Sequence, residues 1–252
     1  MSAVRKGWTR QQLLIAFGLY CKMPFGKLHS RNPEIIKFAE NIGRTPSALA
    51  MKLTNIASLD PAIISTGRKG LKGASAADRN MWKEMENDWE NFFLESEKSI
   101  ASVLNDEEQQ EDIFLSDYSG KTKIVQTTAR VGQSFFRSAV LSAYNSKCCI
   151  TGLSETRLLV ASHIIPWRED ESNRLNPRNG LLLSMLHDKA FDLGIMTIND
   201  DMTIHVSKKN TAKDRYFDTS IGHYDGKQIT LPEKFQPDAN FLAYHRKNIF
   251  EK

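Results

Sequence analysis

The sequence predicts an α+β protein of two bodies: a mainly α-helical N-terminal body with helix-turn-helix character, and a C-terminal body in which short strands precede a helix. Three observations predict it. Apolar residues recur at helical spacing through most of residues 1–93. The acidic run Asp106-Glu107-Glu108-Gln109-Gln110-Glu111-Asp112 then breaks the pattern. Beyond it, short apolar runs such as Leu158-Leu159-Val160-Ala161 and Ile195-Met196-Thr197-Ile198 alternate with turn residues.

In the first body, Thr9 is an N-cap and Gln12 its capping-box partner, opening a helix that carries Leu13, Leu14, Phe17 and Tyr20. Met23-Pro24-Phe25-Gly26 ends it. Pro33 starts a second helix, where its missing N–H costs nothing, and Ile35, Ile36, Phe38, Ala39 and Ile42 follow. Gly43-Arg44-Thr45-Pro46 is a break, and residues 47–56 form a third helix. Helix, glycine turn, helix is the outline of a DNA-reading unit. On that reading Thr45, Ser47, Lys52 and Asn55 face DNA, while Leu49, Leu53 and Ile56 face the core. An ordinary helical hairpin fits the pattern equally well. Residues 59–73, rich in Gly and Lys, form a loop or small wing. A last helix spans residues 76–93, with Trp82, Met85, Trp89 and Phe92 as its apolar stripe.

Charge follows this division. Residues 1–93 hold 14 Lys/Arg against 8 Asp/Glu, whereas residues 94–118 hold one Lys against 8 acids. Residues 94–120 therefore make an acidic linker between a helical domain at 1–93 and a second domain at 121–252. The formal net charge of +4 is too small to argue for nucleic acid alone, but two mildly basic bodies suit a polyanionic partner. The three cysteines, Cys21, Cys148 and Cys149, include no Cys-x-x-Cys pair, so no structural zinc is expected. No secretory signal and no membrane-spanning run is evident, and a reducing, cytoplasmic setting is the expectation.

In the second body, a helix over residues 133–144 turns Phe136, Val140 and Leu141 inward and leaves Arg130 and Arg137 available to a phosphate backbone. Residues 148–152 enter a turn as a short strand, and residues 158–161 form a strand ending at His163. Asn199-Asp200-Asp201 joins a hairpin over residues 195–206. Between them lie Ser162-His163-Ile164-Ile165-Pro166-Trp167, then Asn179-Gly180-Leu181, then His187-Asp188 at a helix start. Asp192 lies one turn beyond Asp188, so the two share a helix face. Each feature alone is ordinary; their order, strand then loop then helix, is not.

These residues, with Arg130-Val131-Gly132-Gln133-Ser134-Phe135-Phe136-Arg137, Cys149-Ile150-Thr151-Gly152 and Phe191-Asp192-Leu193-Gly194, resemble the HNH endonucleases of the prokaryotic restriction type. The resemblance covers roughly the C-terminal half. It implies a ββα-metal fold and hydrolysis of a phosphodiester bond assisted by one divalent ion, Mg²⁺ or Mn²⁺. It implies His163 as general base, Asn179 as the residue whose amide orients that histidine, and His187 with Asp188 as the metal-side pair. Where many such enzymes carry an Asp or His before the base, this chain has Ser162. Double-stranded DNA is the expected partner, and a homodimer is one way for single sites to cut both strands. A DNA-binding regulator with a degenerate nuclease half, and an RNA-cleaving nuclease, are the alternatives.

Overall fold

The computed structural model describes residues 7–65, 67, 73–104, 120–209 and 214–251, the stretch 120–130 by its backbone alone. The chain divides into two compact units, residues 1–135 and 136–252.

Unit 1 is helical. Helix α1 (Arg10–Lys22) opens on the Thr9/Gln12 capping box and is buried from Leu13 to Cys21, the centre of the unit rather than an amphipathic surface helix. Helices α2 (Pro33–Asn41) and α3 (Pro46–Ala57) start with Asn32 and Thr45 as N-caps and a proline in the first turn. Short α4 (Pro61–Ser65) and α5 (Ala76–Asn87) follow. The expected last helix is two, α5 and α6 (Trp89–Leu104), because Asp88 leaves helical geometry at φ −151°. Helix α6 continues through Leu104 with Ser96, Ile100 and Ala101 buried, so residues 94–104 are packed helix rather than linker. The rest of the expected linker, including the acidic run, lies outside the described residues up to Gly120. Helix α1 meets α6 closely: a Cβ on Gly18 would lie 2.3 Å from the Ser96 hydroxyl oxygen.

Packing divides the DNA-facing expectation for α3: Thr45 and Ser47 are exposed, whereas Lys52 is buried and Asn55 half-buried. The helix buries Leu49, Ala50, Lys52, Leu53, Ile56 and Ala57 and exposes little beyond Ser47 and Met51. Lys52 is 6% exposed, and its ammonium donates to both oxygens of Asp78 at 2.7 and 3.0 Å. That charge is spent inside the unit. Asn55 faces inward too, its Oδ1 buried without a hydrogen-bond partner among the described residues and 2.9 Å from where a Cβ on Gly73 would stand.

Unit 2 contains the C-terminal part of α7 (Gly120–Ala143), strand β1 (Leu159–His163), strand β2 (Gly180–Ser184) and helix α8 (Met185–Asp192), which leaves β2 without a loop. Strands β1 and β2 are antiparallel, with His163 opposite Gly180 and Ser162 opposite Leu181. The expected strand at residues 148–152 is a turn, fastened by the Cys149 N–H to the Leu182 carbonyl. The expected hairpin is present as β3 (Met196–Ile198) and β4 (Ile204–Val206). Helices α9 (Arg215–Ser220) and α10 (Ala239–Asn248) complete the unit. Helix α10 is fastened to the end of α8 by His245, whose Nε2–H donates to the Phe191 carbonyl at 3.0 Å. Its Nδ1 accepts from Thr197 Oγ1 at 2.8 Å, and its ring stacks on Phe191. Among the described residues no helix is long and apolar enough to cross a membrane.

Candidate active site

Side chains alternate along a strand, so Ser162 and His163 leave opposite faces of β1. His163 goes to the face covered by α7, where its ring stacks on Phe136 with centroids 3.8 Å apart and planes 12° from parallel. The edge of Trp167 closes on it at 5.4 Å. Gly180 opposite is small for the same reason: a Cβ there would lie 2.5 Å from Val140 Cγ2 and 3.0 Å from the Phe136 ring.

His163 Nε2 lies 2.9 Å from the Arg174 carbonyl oxygen. A carbonyl only accepts, so Nε2 carries the ring proton and Nδ1 keeps the lone pair. Among the described residues nothing hydrogen-bonds to Nδ1. Burial pushes the His163 pKa below its ordinary value, and the Arg174 carbonyl opposes this in part. The ring is neutral near pH 7 and presents a free basic nitrogen.

The expected partner of this histidine, the Asn179 amide, is elsewhere. Asn179 is 1% exposed; its Oδ1 accepts the Ile165 N–H at 2.8 Å and its Nδ2 donates to the carbonyls of Ile165 and Asn173. Its own carbonyl accepts from Ile164 at 2.9 Å. Asn179 therefore laces the two ends of the loop between β1 and β2 and touches the chain just past His163, not the ring.

On the opposite face, Ser162 points toward α8 and the carboxylate of Asp188. The Ser162 hydroxyl draws the Asp188 pKa down, but burial outweighs it and the net shift is upward. Ser162 Oγ is itself buried and, among the described residues, makes no other well-formed hydrogen bond. Asp192, more exposed at the end of α8, is also shifted upward, by partial burial and then by the Asp188 charge. Two carboxyls raised above their ordinary values, Asp188 by burial and Asp192 by burial and then the Asp188 charge, with Lys189 opposing both shifts, lie beside the Ser162 hydroxyl as oxygen donors that a hard divalent cation would suit. Among the described residues no three Asp, Glu, His or Cys side chains converge as a complete shell. A cation here would draw on Asp188, Asp192, Ser162 and water, which suits Mg²⁺ or Mn²⁺, ions that retain waters.

His187 does not join Asp188 in this group. Consecutive helix residues point about 100° apart, and His187 turns inward, 3% exposed, with Nδ1 2.8 Å from the Ser184 hydroxyl and the Tyr224 ring edge-on at 5.2 Å. Burial lowers its pKa, while the Ser220 backbone raises it in part. Among the described residues Nε2 has no hydrogen bond of good geometry. Its position is that of a buttress beneath α8. Of the two arginines expected at a phosphate backbone, Arg137 donates instead to the carbonyls of Leu159 and Thr156 at 2.8 and 2.9 Å. Arg130 lies outside the residues whose side chains are described.

Sequence reasoning missed the Arg174 carbonyl, which no side chain announces, and did not commit Asp192 as a ligand although its spacing from Asp188 was visible. Residues 148–199, which contain β1, the loop, β2 and α8, match a family described as HNH endonuclease. No curated protein matches the chain.

Proposed function

We propose that the chain, whose residues 148–199 match a family described as HNH endonuclease, is a metal-dependent endonuclease hydrolysing phosphodiester bonds of double-stranded DNA. The observation that carries this reading is the state of His163: neutral, held by Nε2–H on the Arg174 carbonyl, with Nδ1 free to take a proton.

In the proposed reaction, water attacks the phosphorus, its proton passes to His163 Nδ1, and the bond from phosphorus to the leaving oxygen breaks. The His163 ring becomes an imidazolium, whose Nε2–H remains on the Arg174 carbonyl. Asp188 and Asp192, with Ser162, would hold a divalent ion, and that ion would supply charge neutralisation at the scissile phosphate and the leaving oxygen. Asn179 acts as a positioning residue through the loop backbone, and His187 through the seating of α8. Unit 1, as a separate helical body, is the candidate for selecting a target in a restriction-type enzyme. Two copies would let single sites cut both strands.

Purified protein incubated with plasmid DNA and Mg²⁺ or Mn²⁺ should nick and linearise it, and EDTA should stop the reaction. His163→Ala should cost about 10²- to 10⁴-fold in rate, the range for a lost general base. Equal cleavage by that variant would sink the assignment. Parallel digestion of RNA decides the substrate: RNA cut faster than duplex DNA would replace the DNA reading. Binding without cleavage under either metal would favour a DNA-binding regulator, the reading that Ser162 in the usual ligand position supports.

A further inference from the structure

We propose that Arg174 is a positioning residue for the His163 base, its side chain fixing the place of the carbonyl that sets the histidine's tautomer. The inference rests on the reading of His163 as base, but its primary test does not need activity.

Arg174 contributes twice to one small ring of contacts. Its carbonyl accepts His163 Nε2–H at 2.9 Å. Its side chain returns along the loop: Nε donates to the Trp167 carbonyl at 2.7 Å, and the guanidinium carbon lies 5.3 Å from the Trp167 ring centroid. The Trp167 ring in turn meets the His163 ring edge-on. His163, Arg174 and Trp167 thus form a closed triangle in which each touches the other two. The remaining contact, Nη2 to Glu171 at 3.0 Å, reaches a carboxylate that is 80% exposed and therefore adds little.

A loop carbonyl is a poor fixed point unless something holds its peptide. Asn179 holds this loop at Ile165 and Asn173, and the Asp170 carboxylate closes its tip by accepting from Ser172 and Asn173; the guanidinium adds the one side-chain tie, among the described residues, from Arg174 back to Trp167. Arginine suits the task because its planar fork donates from Nε while its face lies on the indole. Lysine carries the charge but neither the Nε–H nor the face.

The test is ¹⁵N NMR of His163 in the full chain, which distinguishes Nε2–H from Nδ1–H, together with steady-state cleavage kinetics. Wild type should show the Nε2–H tautomer alone. Arg174→Ala should show a mixture of tautomers, with kcat down about 10- to 100-fold, the usual cost of losing an orienting partner, and KM nearly unchanged. Arg174→Lys should fall between, and Glu171→Gln should match wild type in both readouts. A folded Arg174→Ala protein with an undisturbed Nε2–H tautomer overturns the proposal. Should the alanine variant fail to fold, the lysine variant decides alone, and wild-type tautomer and kcat there overturn it equally. If wild type cleaves nothing, the tautomer measurement still stands, so failure of the nuclease reading and failure of this one are separable.

Discussion

Asp188 and Asp192 stand one turn apart on α8, and the charge of Asp188 helps to raise the pKa of Asp192 above its ordinary value. Burial raises Asp188 as well. For carboxyls shifted upward in the folded state, stability is fully present at low pH and is lost as pH rises through the folded values. The metal-free protein should therefore be strained near neutrality. Asp192→Asn should raise the melting temperature in EDTA, abolish the rise that millimolar Mg²⁺ or Mn²⁺ gives wild type, and cut cleavage at least about 10-fold. A variant that melts lower in EDTA than wild type would contradict the repulsion.

His163 makes a prediction about pH. Its folded pKa is lowered by burial, so the reactive neutral form persists below the ordinary value of 6.5. Cleavage should rise with pH along an acid limb centred below 6.5 and be level from 7 to 8. The pH dependence of kcat/KM checks this, because it reports the free enzyme. A limb centred above 6.5 would mean that the histidine is not buried as described, or is not the base.

Lys52 carries a prediction opposite to the one its residue type suggests. Breaking a buried ion pair by removing one partner costs about 3–5 kcal/mol. Lys52→Ala and Asp78→Ala should each destabilise unit 1 by that order in urea unfolding. Below the transition, the salt dependence of DNA binding by Lys52→Ala should match wild type. A flattened salt slope in a fully folded variant would return Lys52 to the interface.

His245 should make the protein acid-sensitive. Its pKa is lowered from 6.5 to about 4, chiefly by burial. For a histidine shifted downward, stability is present above 6.5 and is lost as pH falls toward the folded value, because the unfolded chain then binds the proton more readily. The span of about 2.5 units at 1.36 kcal/mol each gives about 3 kcal/mol lost between pH 6.5 and 4. His245→Gln should be less stable at pH 7 and show a shallower decline on acidification. Urea titrations at pH 7 and pH 5 compare the two.

What was legible in the sequence was local. Thr9 with Gln12, and Asn32 and Thr45 before prolines, announce helix starts through bonds made within a few residues. The break at Asp88 was hidden because Trp82, Met85, Trp89 and Phe92 keep helical spacing across it. Lys52 could not be placed because its partner is Asp78 on another helix, and only packing shows that the pair is buried. In the site, His163, Asn179 and Asp188 could be singled out by order and spacing. The divergence of His187 from Asp188 could not, since neighbours on a helix part company only once one face is known to be docked. Which group holds His163 was beyond reach, because a backbone carbonyl has no letter in the sequence.

The pairing of His163 with Gly180 has a consequence for loop length. A shift of one residue in this register would turn every side chain of β1 over, carrying the imidazole to the carboxylate side and leaving Ser162 against Phe136. The distinction between proton acceptor and cation site is thus encoded as a parity, odd or even, along five residues of strand. Asn179, gripping Ile165 and Asn173, keeps that count at the base of the loop. An insertion between Arg168 and Ser172 leaves that register in place but disturbs the tip that Asp170 closes on Ser172 and Asn173 and that Arg174 closes on Trp167. A single residue inserted between His163 and Ile165, or between Asn179 and Leu181, shifts the register itself.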